Sequence, residues 1–304
     1  MASVIVFGPT GNIACVAART AQQHGATVYL AMRDPTKPIR GLTSEAEQAG
    51  GFKRLQADLS DPASVTQAVK TSGATRAFIY RVQGTPDHMR ASLSALRDAG
   101  IDLVVFLSSY TIRDDPHAIP PTELISFVHA QVEINLSEVF GAGKYVALRA
   151  GGFATNLLRY KAGIAAGEVK LHVPAYAFDF IAHTDIGGVV GTILAEGNAQ
   201  GKTEVYLYGP QIQPQGEAIE RVARILGKEG VEVTALGGRD AVEQFVQVGI
   251  PRPVAEYIVR KAEEDDGRSL VSYDEGVENV RLYTGKPALG LEEWVEQNKA
   301  LFSV

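Results

Sequence analysis

Seven residues near the amino terminus, Gly8-Pro9-Thr10-Gly11-Asn12-Ile13-Ala14, carry the first chemistry in this chain. They follow a short β-branched run, Val4-Ile5-Val6-Phe7, and open a helical pattern of Ile13, Val16, Ala17, Thr20 and Ala21. Small residues at such a strand-to-helix turn let the backbone approach phosphate oxygens. The free N–H groups of the first helical turn then face the anion. The pattern predicts a cradle for a dinucleotide diphosphate, formed by Gly8, Thr10, Gly11, Asn12 and Ile13. The spacing is G-x-x-G-x-x-A rather than G-x-G-x-x-G, so later residues must strengthen the reading.

The second strand ends in Arg33-Asp34-Pro35-Thr36-Lys37. An acid at this point ordinarily takes the ribose 2′-hydroxyl of NAD. Arg33, with Lys37 behind it, suits a 2′-phosphate instead, because a guanidinium offers two parallel hydrogen bonds. NADP(H) is therefore expected over NAD(H), with Asp34 serving the turn. After the third strand, Asp58 is expected to accept from the adenine amino group while Leu59 packs on the base. Asp61 caps the next helix. Tyr80 and Arg81 follow the fourth strand, and Ser108-Ser109-Tyr110 follow the fifth. Open α/β sheets bind ligands at these carboxyl edges, which makes those residues neighbours of a nicotinamide ring.

Alternating elements must hold these groups in place. Strand patterns occur at 3–7, 27–31, 52–56, 76–80, 103–107 and 144–149, with helical patterns at 11–24, 61–71, 87–99 and 122–141. The later strands are apolar without strict alternation, as burial on both faces requires. The expected fold class is α/β: a Rossmann-like, doubly wound parallel sheet followed by a smaller C-terminal α+β substrate-binding part. The boundary is placed after the sixth strand, giving 1–150 for the cofactor and 151–304 for the substrate, with the strand near 205–208 free to rejoin the main sheet. Helices are expected over 154–166, over 184–196 with Thr184 or Asp185 as cap, over 215–227, 238–249 and 251–265, and over 291–302.

With 304 residues, 45% hydrophobic and 21% charged, the chain has an ordinary globular composition. Its net charge of −6 argues against general nucleic-acid binding. The single cysteine cannot form an internal disulfide, and there is no long apolar run, so a cytoplasmic protein with no membrane or nucleic-acid partner is expected. Cys and His show no ligand spacing, so no metal is expected. The assembly expected is a monomer or homodimer.

Taken together, these residues resemble the NmrA-like branch of the atypical short-chain dehydrogenase/reductases. The resemblance rests on the Gly8-to-Ala14 loop, Arg33-Asp34-Pro35, Asp58-Leu59-Ser60-Asp61-Pro62-Ala63-Ser64 and Ser108-Ser109. It continues through His129-Ala-Gln-Val-Glu133, Leu148-Arg149-Ala150-Gly151-Gly152-Phe153-Ala154-Thr155-Asn156, Asp185-Ile186-Gly187 and Thr284-Gly285-Lys286-Pro287. Two departures stand out. The usual Arg-Pro-Gly reads Arg149-Ala150-Gly151, and the Tyr-x-x-x-Lys pair is missing, since Asp114 lies four residues after Tyr110. His129 stands where isoflavone-reductase-like members have lysine. This version is closer to the triphenylmethane reductase and quinone oxidoreductase members.

The resemblance implies hydride transfer from NADPH to a small conjugated or aromatic carbonyl or quinone-like substrate. Charge growing on the carbonyl oxygen needs a donor, and the candidates are His129 and Tyr110. Alternatively, His129 and Glu133, one helical turn apart, bond only each other. Phe153, after the double glycine, is expected beside the cofactor. Phe153, Asn156, Leu157, Tyr176 and Phe178 are candidates for the substrate wall, while Phe180 and Ile181 are assigned to the core and His183 to a structural role. The rival reading is a non-catalytic NADP(H)-sensing regulator that binds a protein partner.

Overall fold

A computed structural model describes residues 2–303. Its first half contains β1 (Ser3–Phe7), α1 (Asn12–Gln23), β2 (Thr27–Met32), α2 (Ser44–Gly50), β3 (Lys53–Gln56), α3 (Pro62–Ser72), β4 (Arg76–Tyr80), α4 (Arg90–Asp98), β5 (Leu103–Ser109), α5 (Leu124–Phe140) and β6 (Tyr145–Ala150). The sequence pattern anticipates all of these except α2. That helix has no apolar stripe; Thr43 caps it, and its buried Glu47 pairs with Arg54.

The second half contains a 3₁₀ segment (Ala154–Tyr160), α6 (Lys161–Ala166), β7 (Glu168–His172), β8 (Ala177–Phe178), α7 (His183–Glu196), β9 (Glu204–Leu207), β10 (Gln213–Pro214), α8 (Gln215–Ile225), β11 (Glu232–Leu236), α9 (Gly238–Gln247), α10 (Arg252–Glu264), α11 (Tyr273–Thr284) and α12 (Leu291–Gln297). Several expectations change here. The single helix over 154–166 divides into the 3₁₀ segment and α6. The closing helix stops at Gln297, where the Asn298 amide turns back to donate to the Trp294 carbonyl. Neither Thr184 nor Asp185 caps α7: Ala182 is the cap residue, and Asp185 accepts from Leu289 N at 2.7 Å. The sequence pattern missed β11, whose partner is the distant β7, and α11.

Seven parallel strands form the main sheet in the order β3-β2-β1-β4-β5-β6-β9. The order reverses between β1 and β4, and such a reversal opens a crevice at the carboxyl ends of the strands. Along β1, Val4 and Val6 join a core beneath α1 and α7, while Ile5 and Phe7 join a second core beneath α3, α4 and α5. This is the alternation of a strand buried on both faces. Gly187 and Gly191 let α7 approach α1, since a Cβ at either would lie 2.5 Å from the Val16 or Thr20 side chain.

The chain after residue 150 returns to this sheet through β9, where Val205 stands opposite Leu148. A smaller core gathers Leu157, Phe180, Ile219 and Trp294. The pair α9 and α10 closes over its own cluster of Val242, Phe245 and Val259. Among the described residues, no helix is long and apolar enough to cross a membrane.

Candidate functional site

Gly8 follows β1 with φ +66°, a conformation that costs a side-chain-bearing residue free energy. It also lies beneath the Tyr80 ring, where a Cβ would come within 2.5 Å of Cε1. Gly11 is the cap residue of α1, and its N–H donates to Gly8 O at 3.0 Å. No side chain caps the helix, and Thr10, Gly11 and Asn12 are exposed, so the first-turn N–H groups of Asn12 and Ile13 face an open crevice.

Arg33 and Lys37 are exposed beyond β2. The charge of Arg33 reaches Asp58 and Tyr80. Asp34 turns onto Thr36, accepting from its N–H at 3.0 Å and its hydroxyl at 2.6 Å. Asp58 accepts from the Ser60 hydroxyl and N–H at 2.6 and 2.9 Å, which hold its carboxyl below the usual range. Leu59 departs from expectation. It is 4% exposed and packs in the core with Val65, so it offers no surface to a base.

Beyond the carboxyl ends of β5 and β6 lies a cavity of about 720 Å³, a size suited to a small organic ligand. Ser109, Tyr110, Gly152 and Phe153 line it from the sheet edge, and Ser126 and His129 from α5. Asn156, Tyr176 and Phe178 contribute as anticipated. Leu157 does not, being fully buried in the smaller core. Phe180 and Ile181 are core residues, and His183 accepts from the Trp294 indole at 3.2 Å.

The far side of the cavity comes from residues that the sequence did not single out: Arg159, His172, Phe245, Tyr257 and Lys261. Hydrogen bonds hold that side in place. Tyr257 donates to Glu123 at 3.0 Å, Arg260 donates to Thr122 O at 3.2 Å, and Arg113 pairs with Asp265 at 3.1 Å. Phe245, Tyr257 and Lys261 lie far along the chain from the sheet edge they face, whereas Arg159 sits in the 3₁₀ segment just after β6.

His129 and Tyr110 differ in what they can offer. His129 Nδ1 lies 2.8 Å from Ile125 O, and a carbonyl only accepts, so Nδ1 carries the proton. Burial pushes the imidazole down to about 4, so the ring is neutral at pH 7 with Nε2 as an acceptor. The donor role expected of His129 is therefore not available to the neutral ring. Tyr110 is held well above the usual phenol value, chiefly by burial and then by Tyr176 and Asp179 nearby. It keeps its proton at neutral pH.

The alternative His129–Glu133 pair does not form. Glu133 turns beneath the cavity and binds Arg149 through both carboxylate oxygens, at 3.2 and 2.7 Å. Ser108 donates to the same carboxylate at 2.5 Å, so its hydroxyl proton is committed inward rather than toward a cofactor. Arg149 also donates to Tyr206 at 3.0 Å, and Tyr206 donates to Ile112 O at 2.8 Å. This chain of bonds ties α5, β5, β6 and β9 together. Asp179, 3% exposed, accepts from Gly152 N at 2.7 Å and Gly209 N at 2.8 Å. It fixes the double-glycine bend that carries Phe153.

Comparison with known proteins places this geometry in context. A family model described as the NmrA-like family matches residues 1–295. The nitrogen metabolite regulation-like protein bik4 of Gibberella fujikuroi is 35% identical over 316 aligned positions, covering 97% of this chain and 95% of that one. The quinone oxidoreductase QOR2 of Escherichia coli, solved with NADPH, superposes with a TM-score of 0.75 at 18% identity, covering 97% of this chain and 99% of that one. The triphenylmethane reductase of Citrobacter sp. gives 0.72 at 15% identity, with 97% and 98% covered. At such identities the two solved structures establish a shared fold.

Proposed function

This chain belongs to the NmrA-like family, and on that premise we propose that it is an NADP(H)-dependent oxidoreductase acting on a small conjugated or aromatic carbonyl or quinone. One observation carries the reading: an uncapped helix start and a positive-φ glycine sit at the sheet's switch point, and an aromatic-lined cavity opens beside that sheet's carboxyl edge. On this reading residues 1–150 hold the cofactor, and the remainder supplies the substrate side while lending β9 back to the sheet.

The residues fit the cofactor. Gly8 and the first turn of α1 would hold the diphosphate, Arg33 and Lys37 the 2′-phosphate, and Asp58 the adenine amino group. NADPH bound there would supply a hydride. The chain's own part is positioning and charge control. The aromatic walls exclude water and orient a flat acceptor. Tyr110 donates a hydrogen bond to the oxygen on which charge develops, a contact that strengthens as the reaction proceeds. His129, neutral and fixed by Ile125, lines the cavity as a positioning acceptor.

Loss of NADPH absorbance with 1,4-naphthoquinone as acceptor tests the reading. Tyr110→Phe is expected to lower kcat by about 100-fold while leaving NADPH affinity unchanged. Unchanged turnover would remove Tyr110 from this role, and calorimetry showing no heat with either NADPH or NADP⁺ would end the cofactor reading. The relationship to bik4, named for regulation, favours a second reading: a dinucleotide sensor acting on a protein partner. Tight NADP(H) binding without NADPH consumption by quinones or enones would select it.

A further inference from the structure

The charged groups lining the cavity are unevenly matched. Arg113 is paired with Asp265 at 3.1 Å, and Lys261 lies 3.5 Å from Glu123 and 3.1 Å from Glu264. Asp114, the remaining acid of the lining, is exposed. Arg159 has no carboxylate partner among the described residues. Its Nη2 donates to Asn156 Oδ1 at 2.8 Å, and its guanidinium lies over the Phe245 ring, 5.8 Å from the centroid. Asn156 and Phe245 line the same cavity.

This arrangement positions a cation without neutralising it. The Asn156 bond uses one of five N–H donors, and the aromatic face covers one side of the guanidinium plane. The remaining donors lie in the plane, arranged to meet two oxygens at once. Arg159 is exposed at the edge of the cavity, and the protein packed around it still pulls its pKa down. An anion arriving there would meet donors that no carboxylate of the described residues occupies. The surrounding walls of Tyr176, Phe178 and Phe245 suit a flat ring.

We propose that the ligand of this cavity is an aromatic acid, whose carboxylate is bound by Arg159 with Asn156 holding the guanidinium and whose ring lies among the aromatic side chains. The proposal rests on the reading of this cavity as the substrate site and adds the class of substrate. Arg159 is a specificity-determining residue, because a neutral ligand of the same shape would leave its donors unmet.

Calorimetry on the full-length protein tests this without turnover, using sodium 2-naphthoate and its neutral isostere 2-naphthamide. The unaltered protein is expected to bind naphthoate about ten-fold or more tightly than naphthamide. In Arg159→Gln that preference disappears while naphthamide affinity is retained. Arg159→Lys keeps the charge without the fork and is expected to retain a reduced preference. Equal affinities in the unaltered protein, no heat with either ligand, or a preference that survives Arg159→Gln would each overturn the proposal. Should the glutamine variant not fold, the unaltered and lysine proteins decide the matter. Titration of NADPH into the same samples separates the two readings. A naphthoate preference without NADPH binding sinks the cofactor assignment alone, and NADPH binding without the preference sinks the aromatic acid alone.

Discussion

Around Gly8 the molecule presents backbone: a positive-φ glycine, an uncapped helix start and exposed small residues. Around Tyr110 it presents side chains, held in place by buried charges that come from widely separated parts of the chain. The Glu133–Arg149 pair and Asp179 lie behind the cavity wall, each 6% exposed or less. On the proposed function, the contrast has a physical origin. A diphosphate is the same in every dinucleotide, and oriented N–H groups suffice to bind it. A substrate is particular, so its site needs individual side chains in fixed orientations, and those must be braced from behind.

Replacing Glu133 should separate the two regions most sharply. Glu133→Ala leaves Arg149 charged and buried without its partner, at a cost of roughly 3–5 kcal/mol. Urea denaturation measures this, and a loss below about 1 kcal/mol would show that the cavity does not depend on the pair. Asp179 offers a smaller, pH-dependent effect. Burial pushes its carboxyl up to about 6, with the Gly209 and Gly152 N–H groups opposing the shift. The folded chain thus holds this proton more tightly than the unfolded one. Its contribution favours folding below the ordinary carboxylate value and is lost as pH rises through about 6. Relative to Asp179→Asn, the unaltered protein is expected to lose on the order of 1–3 kcal/mol between about pH 4 and pH 7. Parallel stability profiles would show that Asp179 does not titrate there. On the opposite side of the comparison, Arg33→Gln should weaken NADPH by about ten-fold and leave NADH unaffected, as measured by calorimetry. An equal loss for both coenzymes would show that Arg33 does not read the 2′-phosphate.

The amino-terminal sheet was legible because its signals are local. Val4 to Phe7, Gly8 and the helix pattern after Gly11 lie in one short stretch, and strand burial on both faces leaves continuous apolar runs. Asp34 and Asp61 take the turn and cap roles that their neighbours imply. Leu59 was misread because a strand-end position does not reveal which face a side chain takes. His129 was placed on the cavity by its motif, but its protonation follows from Ile125 and from burial. Phe245 and Tyr257 carry no local mark, since what brings them to the cavity is the packing of α9 on β7 and of α10 on α5, where they meet Arg159 from the 3₁₀ segment after β6.

The residue pattern alone thus determined the alternating strands and helices, the parallel sheet and the turn at Gly8, because each depends on periodicity and backbone preference over a few neighbouring positions. Only the tertiary structure decided that Glu133 belongs to Arg149 rather than His129, that Asp179 braces the double glycine, and that Arg159 faces the cavity without an acidic partner. Those outcomes are set by distances between residues far apart in the chain, where burial and competing partners, rather than spacing, choose each contact.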